Sequence, residues 1–313
     1  MTRLDAPFPW FGGKRKVAAE VWARFGEVSN YVEPFFGSGA VLLRRPSPFR
    51  GNETINDLDG FVANFWRSVR YSPGETAAWA DNPVNENDLH ARHAWLLGER
   101  DKLRPSLEGA PEWHDAKIAG WWVWGISCWI GSGLCSGEGP WHVVDGKLVH
   151  LGDNGRGVNR QLVHLGDNAG ESRLAPWFRA LAERLARVRV CSGDWSRVCG
   201  PSVTFKHGVT AVFLDPPYAD TAGRTSDIYM EDSESVAHAV REWAIENGER
   251  PDMKIALCGY EGEHIMPPTW DVLEWSAGEG YGAHAGERTG NGKRERIWFS
   301  PACLPTRQLG LFG

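Results

Sequence analysis

The chain has 313 residues, enough for one large domain or two modest ones, and its 42% hydrophobic and 24% charged content suits a globular protein with a real core. A formal net charge of −6 argues against nucleic-acid binding through overall charge, while leaving room for a local basic groove. The six cysteines (Cys128, Cys135, Cys191, Cys199, Cys258, Cys303) form no C-x-x-C pair and read as free thiols in a reducing compartment. The opening MTRLDAPFPWFGGK lacks the apolar stretch of a signal peptide, and the longest apolar run, 121–134, is broken by Gly and Ser and too short for a bilayer. A cytoplasmic protein with no membrane association is expected.

In chain order, Lys16 to Phe25 sets Val17, Val21 and Phe25 on one helical face, and Gly26 is the stop. Tyr31 to Phe35 reads as a short buried strand, followed by the turn Gly37-Ser38-Gly39, and Thr54 to Asn56 as a second strand. From Asp57 to Arg70, the apolar residues Leu58, Phe61, Val62, Phe65, Trp66 and Val69 recur at helical spacing, which predicts an amphipathic helix. Between Tyr71 and Ser172 Pro, Gly, Asn and Trp rise and the βα alternation disappears, so a less regular insert is expected. Within it, Val143 to Val149 is a hairpin candidate around Asp145-Gly146, and LVHLGDN occurs twice, at 148–154 and 162–168. Two copies make a local duplication rather than a solenoid.

Regular pattern returns with a helical stripe from Leu174 to Val188, a strand at Val188 to Cys191, a buried strand at Thr210 to Leu214, a helix at Val236 to Trp243 and a strand at Lys254 to Leu257. Arg296 to Phe299 follows an Asn291-Gly292 turn and fits the return arm of a terminal hairpin. The fold class is α/β, a mainly parallel sheet flanked by helices and interrupted by an insert. Domain boundaries are expected at 1–70 with 173–313 for the sheet-bearing half and 71–172 for the insert.

The sharpest chemical signal is VFLDPPYAD, Val212 to Asp220, in which an apolar strand ends at Asp215. Pro216 and Pro217 restrict the backbone and lack N–H groups, so the loop is stiff and its carbonyls stay free to accept. An amino group offers two hydrogens: the Asp215 carboxylate can take one and the Pro216 carbonyl the other, which favours a pyramidal nitrogen. Tyr218 can stack on a base turned out of a duplex. A strand-ending Pro-Pro turn is the bland alternative, and the residue combination weighs against it. The second signal is YVEPFFGSGAVLL, Tyr31 to Leu43, in which glycines after a strand let a ligand approach the backbone. The dinucleotide fingerprint is absent, but Asp57 falls 57 − 37 = 20 residues after Gly37, where an acidic residue can grip ribose hydroxyls or cap the next helix.

PFPWFGGK (Pro7 to Lys14), YVEPFFGSGA (Tyr31 to Ala40), INDLD (Ile55 to Asp59) and LDPPY (Leu214 to Tyr218), in that order, resemble the Dam-type (D12 class) DNA adenine methyltransferases. VRVCSGDW, Val188 to Trp195, resembles the weaker block before the catalytic strand. The resemblance covers about the first seventy and the last hundred and forty residues, and implies a Rossmann-like catalytic sheet that uses S-adenosylmethionine (SAM), with 71–172 as a target-recognition insert. It implies catalytic roles for Asp215, Pro216, Pro217 and Tyr218. For the cofactor it implies Trp10, Lys14, Glu33, Phe35, Gly37, Gly39, Asp57, Asp194 and Trp195, with Asp215 where the methyl meets the target amino group. The expected reaction is methylation of the N(6) amino group of adenine in double-stranded DNA by a monomeric, metal-independent enzyme of prokaryotic or phage origin. N(4)-cytosine methylation uses the same amino-group chemistry, and a non-catalytic DNA-binding relative is the alternative from another class.

Other features weigh less. His90 and His93, and His142, His150 and His164 near Cys128 and Cys135, lack zinc-ligand spacing and read as structural or solvated. The run WWVWGISCWIGSG could stack bases, but a packed core for the insert is favoured. DNA phosphate contacts are expected from Arg156, Arg160, Lys293 and Arg294, against a solvated charged face as the alternative.

Overall fold

The computed structural model describes residues 4–10, 14–110, 112–129, 134–135, 141–144, 147–150, 174–218, 230–275 and 295–305. They pack as two compact units, one built from 14–56, 188–275 and 295–305, the other from 4–10 and 57–187. In the first, helix α1 (Ala18–Phe25) closes where Gly26 takes φ 59° and returns its N–H to the Trp22 carbonyl. Strands β1 (Asn30–Glu33) and β2 (Asn52–Asp57) follow. β1 stops two residues short of the expected end, where Pro34 has no N–H to offer a ladder.

The chain then builds the second unit. Helix α2 (Gly60–Tyr71) begins three residues later than its periodicity alone predicts, because the Asp59 carboxylate accepts from the Phe61 N–H at 2.7 Å and fixes the start there. The expected irregular insert is instead helical over most of its first half: α3 (Pro73–Ala80), α4 (Glu86–Gly109) and α5 (Ala116–Cys128). Asp115 caps α5 through the Ile118 N–H, and its own N–H and carbonyl are both held by Asn64 of α2. Gly120 lets α5 lie against α3, since a Cβ there would stand 2.3 Å from that of Trp79. Strands β3 (Trp141–Val144) and β4 (Lys147–His150) pair antiparallel, as the hairpin reading expects. Helix α6 (Leu174–Leu185) completes the unit.

Its core is aromatic. Phe8 meets Phe65 at 5.3 Å and Trp122 at 4.9 Å, and Phe65 meets Phe178 at 5.6 Å. Trp122, Trp124 and Trp129 are buried, so this part of the Trp-rich run is packing rather than a stacking platform.

The chain re-enters the first unit with β5 (Arg189–Ser192), β6 (Thr210–Leu214), helix α7 (Met230–Gly248), β7 (Met253–Tyr260), β8 (Asp271–Glu274) and β9 (Glu295–Phe299). Seven strands form one sheet in the order β5-β2-β1-β6-β7-β9-β8. β1 is parallel to β2 and β6, and β6 to β7, while β9 runs antiparallel to both β7 and β8. The return arm expected at Arg296 to Phe299 is thus β9; its proposed Asn291-Gly292 turn lies outside the described residues. β6 is buried along its whole length, as its unbroken apolar run TAVFL demands of a strand covered on both faces. The sequence moves from β1 outward through β2 to β5, then restarts at β6 on the other side of β1. The carboxyl ends of β1 and β6 therefore flank the point where strand order reverses.

Candidate active site

β1 ends in a buried carboxylate. Tyr31 and Glu33 lie two apart on one strand face, and the Tyr31 hydroxyl donates to Glu33 Oε2 at 2.7 Å. Burial, then the Glu33 charge, pushes the Tyr31 phenol well above its ordinary range. Beyond Glu33 the chain turns sharply: the Phe36 N–H donates to the Asn56 carbonyl and the Gly39 N–H to the Phe36 carbonyl, both at 2.9 Å. Gly37 and Gly39 have φ of 47° and 71°, and a Cβ on Gly39 would stand 2.7 Å from the Phe36 ring.

Asn56 holds this edge together. Its side-chain amide donates to the Pro34 carbonyl at 3.0 Å and the Gly193 carbonyl at 2.8 Å, joining the loops after β1 and β5. In the sequence Asn56 stands out only as the last residue of the strand Thr54 to Asn56 and as part of INDLD; an amide ending an apolar strand was the available signal for its role. Past Gly193, Asp194 caps a short 3-10 turn, Trp195–Val198, accepting from the Ser196 N–H at 3.0 Å and from its hydroxyl. The Trp195 ring stacks over Phe35 with centroids 6.4 Å apart and leans its edge on Trp243.

Asp215 follows directly after β6, across the switch point from Glu33. The Lys14 ammonium lies 2.9 Å from Asp215 Oδ1 and donates to the Tyr218 hydroxyl at 2.8 Å. That hydroxyl in turn donates to the same Asp215 Oδ1 at 3.1 Å. Cys258 lies buried on β7, where the Asp215 charge acts on its thiol. Pro216 is buried and Pro217 exposed, and the Tyr218 ring stands edge-on to Tyr260 at 4.7 Å. Lys14 also faces Glu295 Oε2, the first residue of β9, at 3.8 Å.

The electrostatics follow from burial. Desolvation pulls the Lys14 ammonium down, but Asp215 and Glu295 more than offset it, so the group stays charged. Burial lifts the Tyr218 phenol and the Cys258 thiol far above their usual ranges, with the Asp215 charge adding to both, so each stays protonated and able to donate. Burial also raises the Glu295 carboxyl to about 7, with Lys14 pulling it back and Asp215 pushing it further up.

Lys14, Asp215 and Tyr218 thus form one hydrogen-bonded cluster, and Glu33 at the end of β1, Phe35, Gly37 and Gly39 in the loop after it, and Asp194 and Trp195 after β5 all sit at the carboxyl edge of the same unit. Asp57 ends β2, and its carboxylate accepts from the Asp59 N–H at 2.9 Å. Trp10 lies in the helical unit against Phe8 and Trp122, at 5.6 and 6.2 Å. Arg156, Arg160, Lys293 and Arg294 lie outside the described residues, as does the second LVHLGDN copy. His93 is buried against the Trp129 ring. Among the described residues no group of three His, Cys, Asp or Glu side chains could hold a metal ion, and no helix is long and apolar enough to cross a membrane. All six cysteines are free thiols.

A mixed seven-stranded sheet flanked by helices is consistent with a Rossmann-like methyltransferase fold. Residues 10–88 match the family model of the D12 class N6 adenine-specific DNA methyltransferases, which bears out the resemblance read from the motifs. The match supports DNA adenine methylation in general and DNA as the substrate. It includes Lys14, the glycine turn and Asp57; the Asp215 loop lies beyond it and rests on the motif and the geometry. No curated protein matches the chain.

Proposed function

We propose that this protein uses SAM to methylate the N(6) amino group of adenine in double-stranded DNA. The observation that carries the reading is the Asp215 carboxylate at the end of β6, held by Lys14 and Tyr218 beside the glycine turn of β1. The residues at this edge suit SAM: positive-φ glycines that admit a ligand to the backbone, carboxylates at Glu33 and Asp194 for its cationic and hydroxyl groups, and the Phe35–Trp195 stack for its aromatic ring. Bound there, SAM would supply an electrophilic methyl on a sulfonium, whose S–CH3 bond would break with its electron pair left on a neutral thioether sulfur.

What the chain itself contributes is acceptance and orientation. A target adenine must leave the base stack, at a cost of a few kcal/mol. Asp215 then takes one amino hydrogen and the Pro216 carbonyl the other, so the nitrogen lone pair points away from both. As the nitrogen gains its carbon it becomes cationic and sheds one proton, which the Asp215 carboxylate is positioned to accept. Prearranged acceptors of this kind lower the barrier without prior removal of a proton. Tyr218 offers its ring to the base while its hydroxyl keeps Asp215 in place. Residues 71–172 would supply target recognition, and a monomer is expected to suffice.

Replacing Asp215 with Ala tests the reading. Transfer of labelled methyl groups to DNA is expected to fall by at least ~10³-fold, the scale of losing a key electrostatic acceptor, while SAM binding by calorimetry stays within about fivefold. Full transfer activity in Asp215→Ala would overturn the assignment.

A further inference from the structure

We propose that Glu295 is a positioning residue that takes the Lys14 ammonium over from Asp215 when Asp215 engages the target amino group. The inference rests on the methyltransferase reading above and adds a step to it.

Asp215 Oδ1 is already engaged. A carboxylate has about four lone-pair directions, and Lys14 and Tyr218 both donate to this one oxygen. The Lys14 ammonium is the donor that most weakens Asp215 as an acceptor, because it draws off negative charge that the amino hydrogen and the developing cationic nitrogen both need. For strong acceptance Lys14 has to move, and a buried ammonium cannot move away from all carboxylates without a large desolvation cost.

Glu295 is the one other carboxylate that pairs with Lys14 among the described residues. Its Oε2 lies 3.8 Å from Lys14 Nζ, beyond hydrogen-bond distance, and is buried with no hydrogen-bond partner among the described residues. Such an acceptor is costly to leave unmade, so its retention calls for a use. A displacement of about 1 Å by Lys14 brings it to charge-assisted hydrogen-bond distance, ~2.8 Å.

The other groups around Glu295 do not compete for the role. β7 presents the Cys258 thiol, which stays protonated, and Tyr260, the Cα partner of Glu295. Arg296 donates to the Glu295 backbone carbonyl and aims its other nitrogen at Glu261 and Glu274. The Trp275 N–H also goes to that carbonyl, and its ring lies 5.5 Å from Lys14. The Tyr218 hydroxyl is already shared between Lys14 and Asp215.

A carboxyl near 7 makes the handover pH-dependent. Protonated Glu295 offers Lys14 no counter-charge, so transfer should rise as pH climbs through that value. The test is steady-state methyl transfer by the full chain on unmethylated DNA from pH ~5.5 to ~8.5, for wild type and Glu295→Gln. Wild type is expected to show an acid limb near pH 7; Glu295→Gln keeps the shape but not the charge, and is expected to lose the limb, with kcat at high pH down about tenfold and KM for DNA within about twofold. A Glu295→Gln profile that overlays the wild type overturns the handover and leaves the methyltransferase reading standing. A crystal structure of Asp215→Asn gives an answer independent of activity: Lys14 is expected within ~3 Å of Glu295, and a Lys14 still paired to residue 215 counts against the proposal. If wild type transfers no methyl at any pH, the functional reading falls and that structure alone decides the handover.

Discussion

Each side chain in the Asp215 cluster contributes something different, and Tyr218 can be taken apart most cleanly. Its ring is available to a base while its hydroxyl fixes Asp215 Oδ1. Tyr218→Phe keeps the first function and removes the second, so kcat should drop about tenfold, ~1.4 kcal/mol, the usual worth of one hydrogen bond to a charged group. DNA affinity measured by titration should change less than about twofold; a large affinity loss with unchanged kcat would place the hydroxyl on the DNA instead. At this scale the sequence was informative about residue types and silent about pairing. LDPPY marks Asp215 and Tyr218, but nothing local links them to Lys14, which precedes Tyr218 by 204 positions. Glu295 gave no signal at all: beside Lys293 and Arg294 it reads as one more exposed charge at a strand end.

Among the elements, the glycine turn after β1 is the most constrained. Gly39 combines a positive φ with a Phe36 ring only 2.7 Å from where a Cβ would go. Gly39→Ala should therefore cost about 1–3 kcal/mol, read as a lowered melting temperature, and should weaken SAM binding more than DNA binding; a variant as stable as wild type would show that the turn relaxes freely. Elements with strong local patterns were legible: β6 from its apolar run, α2 from its 3.6-residue period, the β3–β4 hairpin from Asp145-Gly146. The helices α3 to α5 were not. α3 begins with Pro73, α4 carries Pro105 inside, and α5 is buried nearly all round, so its apolar residues show no single-face period. Proline and glycine looked like breakers where one starts a helix and the other permits helices to approach.

For the molecule as a whole, the buried carboxyl of Glu295 should leave a mark on stability. Its folded value, about 7, lies above the ordinary 4.5, so between these values the folded chain holds a proton that the unfolded chain has released. Stability is greatest below that window and falls as pH rises through it; Glu295→Gln should remove the fall, checked by denaturant unfolding at a series of pH values, and an unchanged slope would place the titration elsewhere. The parallel sheet with a reversed edge was readable in outline from βα alternation, whereas the aromatic helical unit was not, because its cohesion comes from contacts such as Phe8–Trp122 and Phe65–Phe178 between distant segments. The base that receives the methyl group decides the function. Unmethylated double-stranded DNA is incubated with the full chain and methyl-labelled SAM, digested to nucleosides and analysed by mass spectrometry. Labelled N(6)-methyladenine with wild type and none with Asp215→Ala is the expected result; label in N(4)-methylcytosine, or in no nucleoside, would contradict it.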